Sequence, residues 1–125
     1  MIVLDASAIL CVLFEEPGME RVLVAGQGAF VSAVNLSEAL TKALDKGVPL
    51  DVRSKGVAAL ALQVISFDAE SAAEAAELRT AAKAFGLSLG DRACLALARR
   101  LRATVLTTDR IWSKLDIDVT IEQLR

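Results

Sequence analysis

Short apolar runs alternate with longer stretches of helical spacing along this chain. Ile2-Val3-Leu4, Ala29-Phe30-Val31, Val64-Ile65-Ser66-Phe67, Ala103-Thr104-Val105-Leu106 and Val119-Thr120-Ile121 are brief and largely β-branched. They mostly lack strict polar alternation, which predicts strands covered on both faces, as in a parallel sheet. Between them, Val57, Leu60, Ala61 and Val64 follow i, i+3, i+4, i+7 spacing, and so do Cys94, Leu97, Ala98 and Leu101. Ala75, Leu78, Ala82 and Phe85 form a looser stripe, and alanine-rich Ala69–Ala84 predicts one helix. Pro17-Gly18 breaks the first helix, Gly47 and Pro49 stop the helix bearing Leu36, Leu40 and Ala43, and Gly86 ends the alanine-rich one. The predicted order is β-α-β-α-α-β-α-α-β-α-β. It implies an α/β fold: a three-layer α/β/α sandwich with a central, mainly parallel sheet of about five strands. With 125 residues and neither repeat nor linker, the chain reads as a single domain over 1–125.

Composition narrows the chemistry. Hydrophobic residues make up 54% and the mean hydropathy is +0.49, enough for a real core. No run is long and clean enough to span a bilayer, and Met1–Phe14 lacks the basic start of a secretory signal, so a cytoplasmic protein without membrane contact is expected. Cys11 and Cys94 read as buried reduced thiols, without a Cys-x-x-Cys pair. Histidine is absent. That removes Ser-His-Asp and Cys-His catalysis and histidine-based zinc sites, leaving carboxylates, lysine, hydroxyls, thiol or a bound metal. A net charge of −2 argues weakly against a dedicated duplex-binding protein.

The acids fall at informative places. The first strand runs into Asp5 and the fourth into Thr107-Thr108-Asp109. Strands of a parallel sheet open their carboxyl ends on one edge, so these two aspartates are expected to face one crevice. Glu38 follows the second strand, and Asp91 opens the helix bearing Cys94 and Ala98, on the same face as that apolar stripe. Each has a plain alternative. Asp5 can cap Ala6–Phe14, Asp109 a short turn through Trp112, Asn35-x-x-Glu38 can be a capping box, and Asp91 can serve its helix dipole. Gathered in one pocket, however, these carboxylates repel, and a hard divalent ion such as Mg²⁺ or Mn²⁺ relieves the repulsion. Such an ion supports phosphodiester hydrolysis without histidine. Ser7 and Thr107, each two residues from an acid, can hydrogen-bond the ligands or serve ordinary turns. Arg92 and Arg110 adjoin acids and can meet substrate phosphates or remain solvated, whereas Arg99, Arg100 and Arg102 suit the dipole at a helix end.

Val3-Leu4-Asp5-Ala6-Ser7, Glu38, Leu89-Gly90-Asp91-Arg92-Ala93 and Leu106-Thr107-Thr108-Asp109-Arg110, in this order and spacing, resemble the PIN-domain nucleases, and within them the VapC-type toxins of toxin–antitoxin pairs. The resemblance covers nearly the whole chain. It implies that Asp5, Glu38, Asp91 and Asp109 are the family's four acids, that Ser7 is its hydroxyl residue, and that Trp112 is the aromatic after the last acid. Ser113 or Asp116 stands where a further polar ligand sometimes follows. It also implies Mg²⁺- or Mn²⁺-dependent cleavage of RNA leaving a 5′-phosphate, a homodimer, and inhibition by a small antitoxin laid across the active-site groove. Two other classes fit parts of the pattern. A phosphohydrolase or receiver-like domain would use Lys114 and the Asp68 that follows the third strand. A binding module would use the acids only as caps.

Overall fold

A computed structural model describes residues 1–125. The strands are β1 (Ile2–Leu4), β2 (Phe30–Ser32), β3 (Gln63–Ile65), β4 (Thr104–Thr107) and β5 (Thr120–Gln123). All pair in parallel, in the order β3-β2-β1-β4-β5. β1 is therefore central. The chain steps outward through β2 to β3, then returns to β1's other side for β4, placing the topological switch between β1 and β4.

Alternation along the strands fills two cores. Leu4, Val31 and Leu106 point into one with α1 (Ala6–Leu13) and α3 (Ala33–Asp45). Val3 and Val105 point into the other with α5 (Ala69–Glu77) and α7 (Leu89–Leu101). Both faces of the sheet are thereby covered, which explains why β1 and the centre of β4, Val105-Leu106, are apolar without alternation. No helix is long and apolar enough to cross a membrane.

Three local expectations differ from the structure. The turn at Pro17-Gly18 is followed by a second helix, α2 (Met19–Ala25), before β2. Gly18 holds φ +105°, and a Cβ there would stand 3.2 Å from Leu124 Cβ, so the turn admits little else. The stripe Val57–Val64 is not one helix: α4 (Leu50–Ala59) stops where Ala61 turns left-handed at φ +48°, and Val64 enters β3. The alanine-rich segment divides into α5 and α6 (Arg79–Lys83) at Leu78, whose amide bonds back three residues to Ala75 O while its side chain is buried.

Candidate metal centre

Register places the first acid. Ile2, Val3 and Leu4 pair with Thr104, Val105 and Leu106, so Asp5 and Thr107 emerge side by side at the carboxyl ends of the two central strands. Asp5 is buried and N-caps α1, its Oδ1 accepting from Ala8 N at 3.0 Å. Ser7 Oγ donates to the same oxygen at 2.6 Å, and Thr107 Oγ1 donates to Oδ2 at 2.8 Å. Each hydroxyl is itself oriented by a backbone amide of the loop after β4. Thr108 N donates to Ser7 Oγ at 2.9 Å and Asp109 N to Thr107 Oγ1 at 3.0 Å. Burial pushes the Asp5 carboxyl up to about 6, against the opposing pull of the Ser7, Thr107 and Ala8 hydrogen bonds and with a further push from Asp91.

Glu38 and Asp91 come from two helices that cross beside this point. Asp91 is the N3 residue of a capping box on α7: Ser88 Oγ accepts from Asp91 N at 3.1 Å, and Asp91 Oδ2 accepts from Ser88 N at 2.9 Å. Glu38 lies in the body of α3, against the first turn of α7. Both of its carboxylate oxygens are 3.3 Å from where a Cβ on Gly90 would stand. The Asn35-Glu38 capping box is not formed, because α3 begins three residues earlier, capped by Ser32, whose hydroxyl accepts from Val34 N. Asn35 is instead buried inside the helix and donates from Nδ2 to Gly90 O at 2.8 Å. The sequence did carry a signal for this, since Asn35, Ala39 and Ala43, at i, i+4, i+8, are the buried stripe of α3.

Asp5, Asp91 and Glu38 all act electrostatically on the thiol of Cys94, which burial above all pushes far up. The three acids thus lie within electrostatic range of one buried thiol. Asp109 joins them by its backbone, through Thr107. Its Oδ1 accepts from Ile111 N at 3.0 Å and caps a 3₁₀ turn, Arg110–Lys114. No three acidic or thiol side chains converge closely enough to ligate one ion as they stand. The expected tight crowding of the acids is therefore not formed: Asp5, Asp91 and Asp109 each give an oxygen to a local cap instead. In kind the donors fit a hard divalent cation: they are carboxylate oxygens, with one acid buried and its charge disfavoured.

The remaining residues have other contacts. Arg92 reaches away from the acids, Nη1 donating to Ala75 O at 3.2 Å, so it ties α7 to α5. Arg110 is exposed and donates from Nε to Arg125 O at 3.2 Å. Ser113 Oγ donates to Arg110 O at 2.8 Å, and Asp116 lines a groove with Arg99 and Lys114. Trp112 is fully buried. Asp68 follows an edge strand and caps α5, accepting from Ser71 N, so it is not the central-strand aspartate that the receiver-like alternative requires.

The family model of the PIN domain matches residues 2–118. The chain belongs to the PIN-domain family. No curated protein matches it at a significant level. Among solved structures this PIN domain is similar to one from a toxin–antitoxin complex of Klebsiella pneumoniae (TM-score 0.76, 16% identity, 100% of this chain and 98% of that one). It is similar to VapC20 of Mycobacterium tuberculosis, described as a sarcin-ricin loop cleaving toxin (TM-score 0.75, 15% identity, 96% and 99%). It also resembles a chain of VapBC2 from Rickettsia felis, solved bound to a promoter DNA fragment (TM-score 0.72, 20% identity, 98% and 98%). At these identities the likeness is one of fold, and it extends over the whole PIN domain, from β1 to β5.

Proposed function

We propose that this PIN domain, acting as one unit over residues 1–125, is a metal-dependent endoribonuclease and the toxin of a toxin–antitoxin pair. The observation that carries the proposal is buried Asp5 at the carboxyl end of the central strand, beside the β1/β4 switch, with Ser7 and Thr107 holding its two oxygens, in a chain that the PIN-domain family model matches. The toxin–antitoxin identity of its structural neighbours supports the biological half.

Asp5, Glu38 and Asp91 are the residues that would hold Mg²⁺ or Mn²⁺, with Asp109 at the margin. When bound there, such an ion would make a water more acidic and offset charge on a phosphate oxygen. Asp5 must be ionised to take part, and with its carboxyl near 6 it is so at neutral pH. Ser7 and Thr107 hold its two oxygens in fixed orientation, so little reorganisation is needed on binding. Glu38, half-buried and engaged in no cap, is the group assigned to accept the proton of the attacking water. Arg110, exposed beside Asp109, is the cation assigned to substrate phosphate, whereas Arg92 is assigned a structural tie.

The same reading places the protein in the cytoplasm, as a homodimer held inactive by a small cognate antitoxin. The test is direct. Purified protein is incubated with end-labelled RNA in Mg²⁺ or Mn²⁺, then with chelator. Cleavage with either ion that stops on chelation is the expected result. Intact RNA under both conditions, with no thermal stabilisation by Mn²⁺, would leave only a non-catalytic binding module.

A further inference from the structure

We infer that Asn35 is a positioning residue for the acid cluster, a joint that sets α7 against α3 so that Glu38 and Asp91 face one ligand. The inference rests on the metal-dependent reading above and names a residue that reading does not use.

Asn35 is 1% exposed, in the first turn of α3. Its amide group reaches across to α7 and donates to Gly90 O at 2.8 Å. Only the NH₂ end can face a carbonyl, so the orientation of the amide is fixed, and Oδ1 points elsewhere. That oxygen is buried and has no hydrogen-bond partner. A buried acceptor without a partner is destabilising. The carbonyl that Asn35 serves lies in a helix, where the amide four residues on already supplies a donor. Asn35 therefore adds a bond to a group that does not require one and leaves its own oxygen unpaired. Leucine has no polar atoms to bury and would fill the same space with apolar contact. As a packing residue, asparagine is a poor choice here.

What asparagine does supply is a directional link at Gly90, the residue that Glu38 packs against and that precedes Asp91. One turn along the same helix face, Glu38 rests on the same glycine that Asn35 grips, and Asp91 is that glycine's neighbour. Gly90 belongs to the same joint. A Cβ there would stand 3.3 Å from both oxygens of Glu38, tighter than ordinary contact, so the carboxylate would have to shift by a few tenths of an ångström.

The inference separates stability from ligand binding. In Asn35→Leu, metal-free protein should melt at or above the parent temperature. Its Mn²⁺ affinity, by calorimetric titration, should fall about tenfold or more, as for other residues that hold metal ligands in place. In Gly90→Ala the helix should be kept, alanine being the better helix former, and Mn²⁺ affinity should again fall. An asparagine that only packed the helices would give the reverse, a lower melting temperature with Mn²⁺ affinity intact, and that result overturns the inference. If Asn35→Leu does not fold, Gly90→Ala decides: parental Mn²⁺ affinity in that variant also overturns it. A parent protein that takes up no Mn²⁺ at all overturns the nuclease proposal and this inference together. A parent that binds Mn²⁺, with both variants binding equally well, overturns this inference alone.

Discussion

Thr107 Oγ1 donates to Asp5 Oδ2 at 2.8 Å, joining the ends of β4 and β1 across 102 residues of sequence. The same hydroxyl accepts from Asp109 N, so one side chain links the buried acid to the loop that carries the last one. Ser7 makes a parallel link, donating to Asp5 Oδ1 and accepting from Thr108 N. A hydroxyl has one proton to give. Giving it to Asp5 fixes both oxygens of the carboxylate, and the amides of the loop after β4 keep the hydroxyls turned that way.

Thr107→Val tests this fork. It keeps the shape and removes both bonds at a site that is 0% exposed. One carboxylate oxygen loses its donor and the Asp109 amide its acceptor, so a loss of about 1–3 kcal/mol in stability is expected. The Thr107 bond also holds the Asp5 carboxyl down, so in the variant its titration should move upward from about 6. Urea denaturation and the carboxyl NMR signal of Asp5 against pH check both. Thr107→Ser should restore most of each.

Asp5 also gives the metal-free protein a pH signature. Its folded value of about 6 lies above the ordinary 3.8, so the folded state holds the proton more tightly than the unfolded chain. The contribution to stability is complete below about 4, declines as pH rises to about 6, and is level above that. A rise of that size corresponds to about 3 kcal/mol as an upper bound. Denaturation in chelator from pH 4 to 8 should show this decline, and Mn²⁺ should reverse it at the alkaline end, where Asp5 is ionised. Constant stability across that window would mean the carboxyl is not held near 6.

Asp5→Asn follows from the same burial. At pH 8 without metal, the variant should be more stable than the parent, since no charge is buried, and at pH 4 the difference should vanish. With Mn²⁺ at about a hundredfold its parental Kd, the parent should gain about 2.7 kcal/mol and the variant little. RNA cleavage should be lost in the variant while the fold remains. If the Asp5→Asn protein cuts RNA at the parental rate, Asp5 does not belong to the site.

How far this arrangement could be read from sequence depended on the range of the forces involved. β1 and β4 were legible because strands buried on both faces carry adjacent apolar, β-branched residues without alternation, and with them came the shared edge of Asp5 and Asp109. The breaks at Ala61 and Leu78 were not legible. Alanine and leucine favour helix locally, and only the pairing of Gln63 N with Ala29 O and the burial of Leu78 override that preference. Asn35 departs from the capping pattern for a related reason: asparagine is a common cap, and its role here is set by Gly90, 55 residues away. The capping alternatives are themselves realised: Asp5 and Asp109 cap α1 and the 3₁₀ turn, and Asp91 completes the capping box of Ser88 on α7.

Arg92 follows Asp91 in sequence, next to a candidate ligand, yet its guanidinium reaches Ala75 in α5. Nη1 donates to Ala75 O at 3.2 Å, and Nε is buried without a partner. Ala75 itself is fully buried, at the point where α5 gives way to α6. Arg92→Ala should therefore lower stability by about 1–2 kcal/mol through the lost bond and stem packing. The slope of log cleavage rate against log salt should match the parent, because no phosphate contact is removed. For Arg110→Ala the order should invert, with stability nearly unchanged, weaker RNA binding and a shallower salt slope. If Arg92→Ala flattens the salt dependence and Arg110→Ala does not, the two arginines have been assigned the wrong way round.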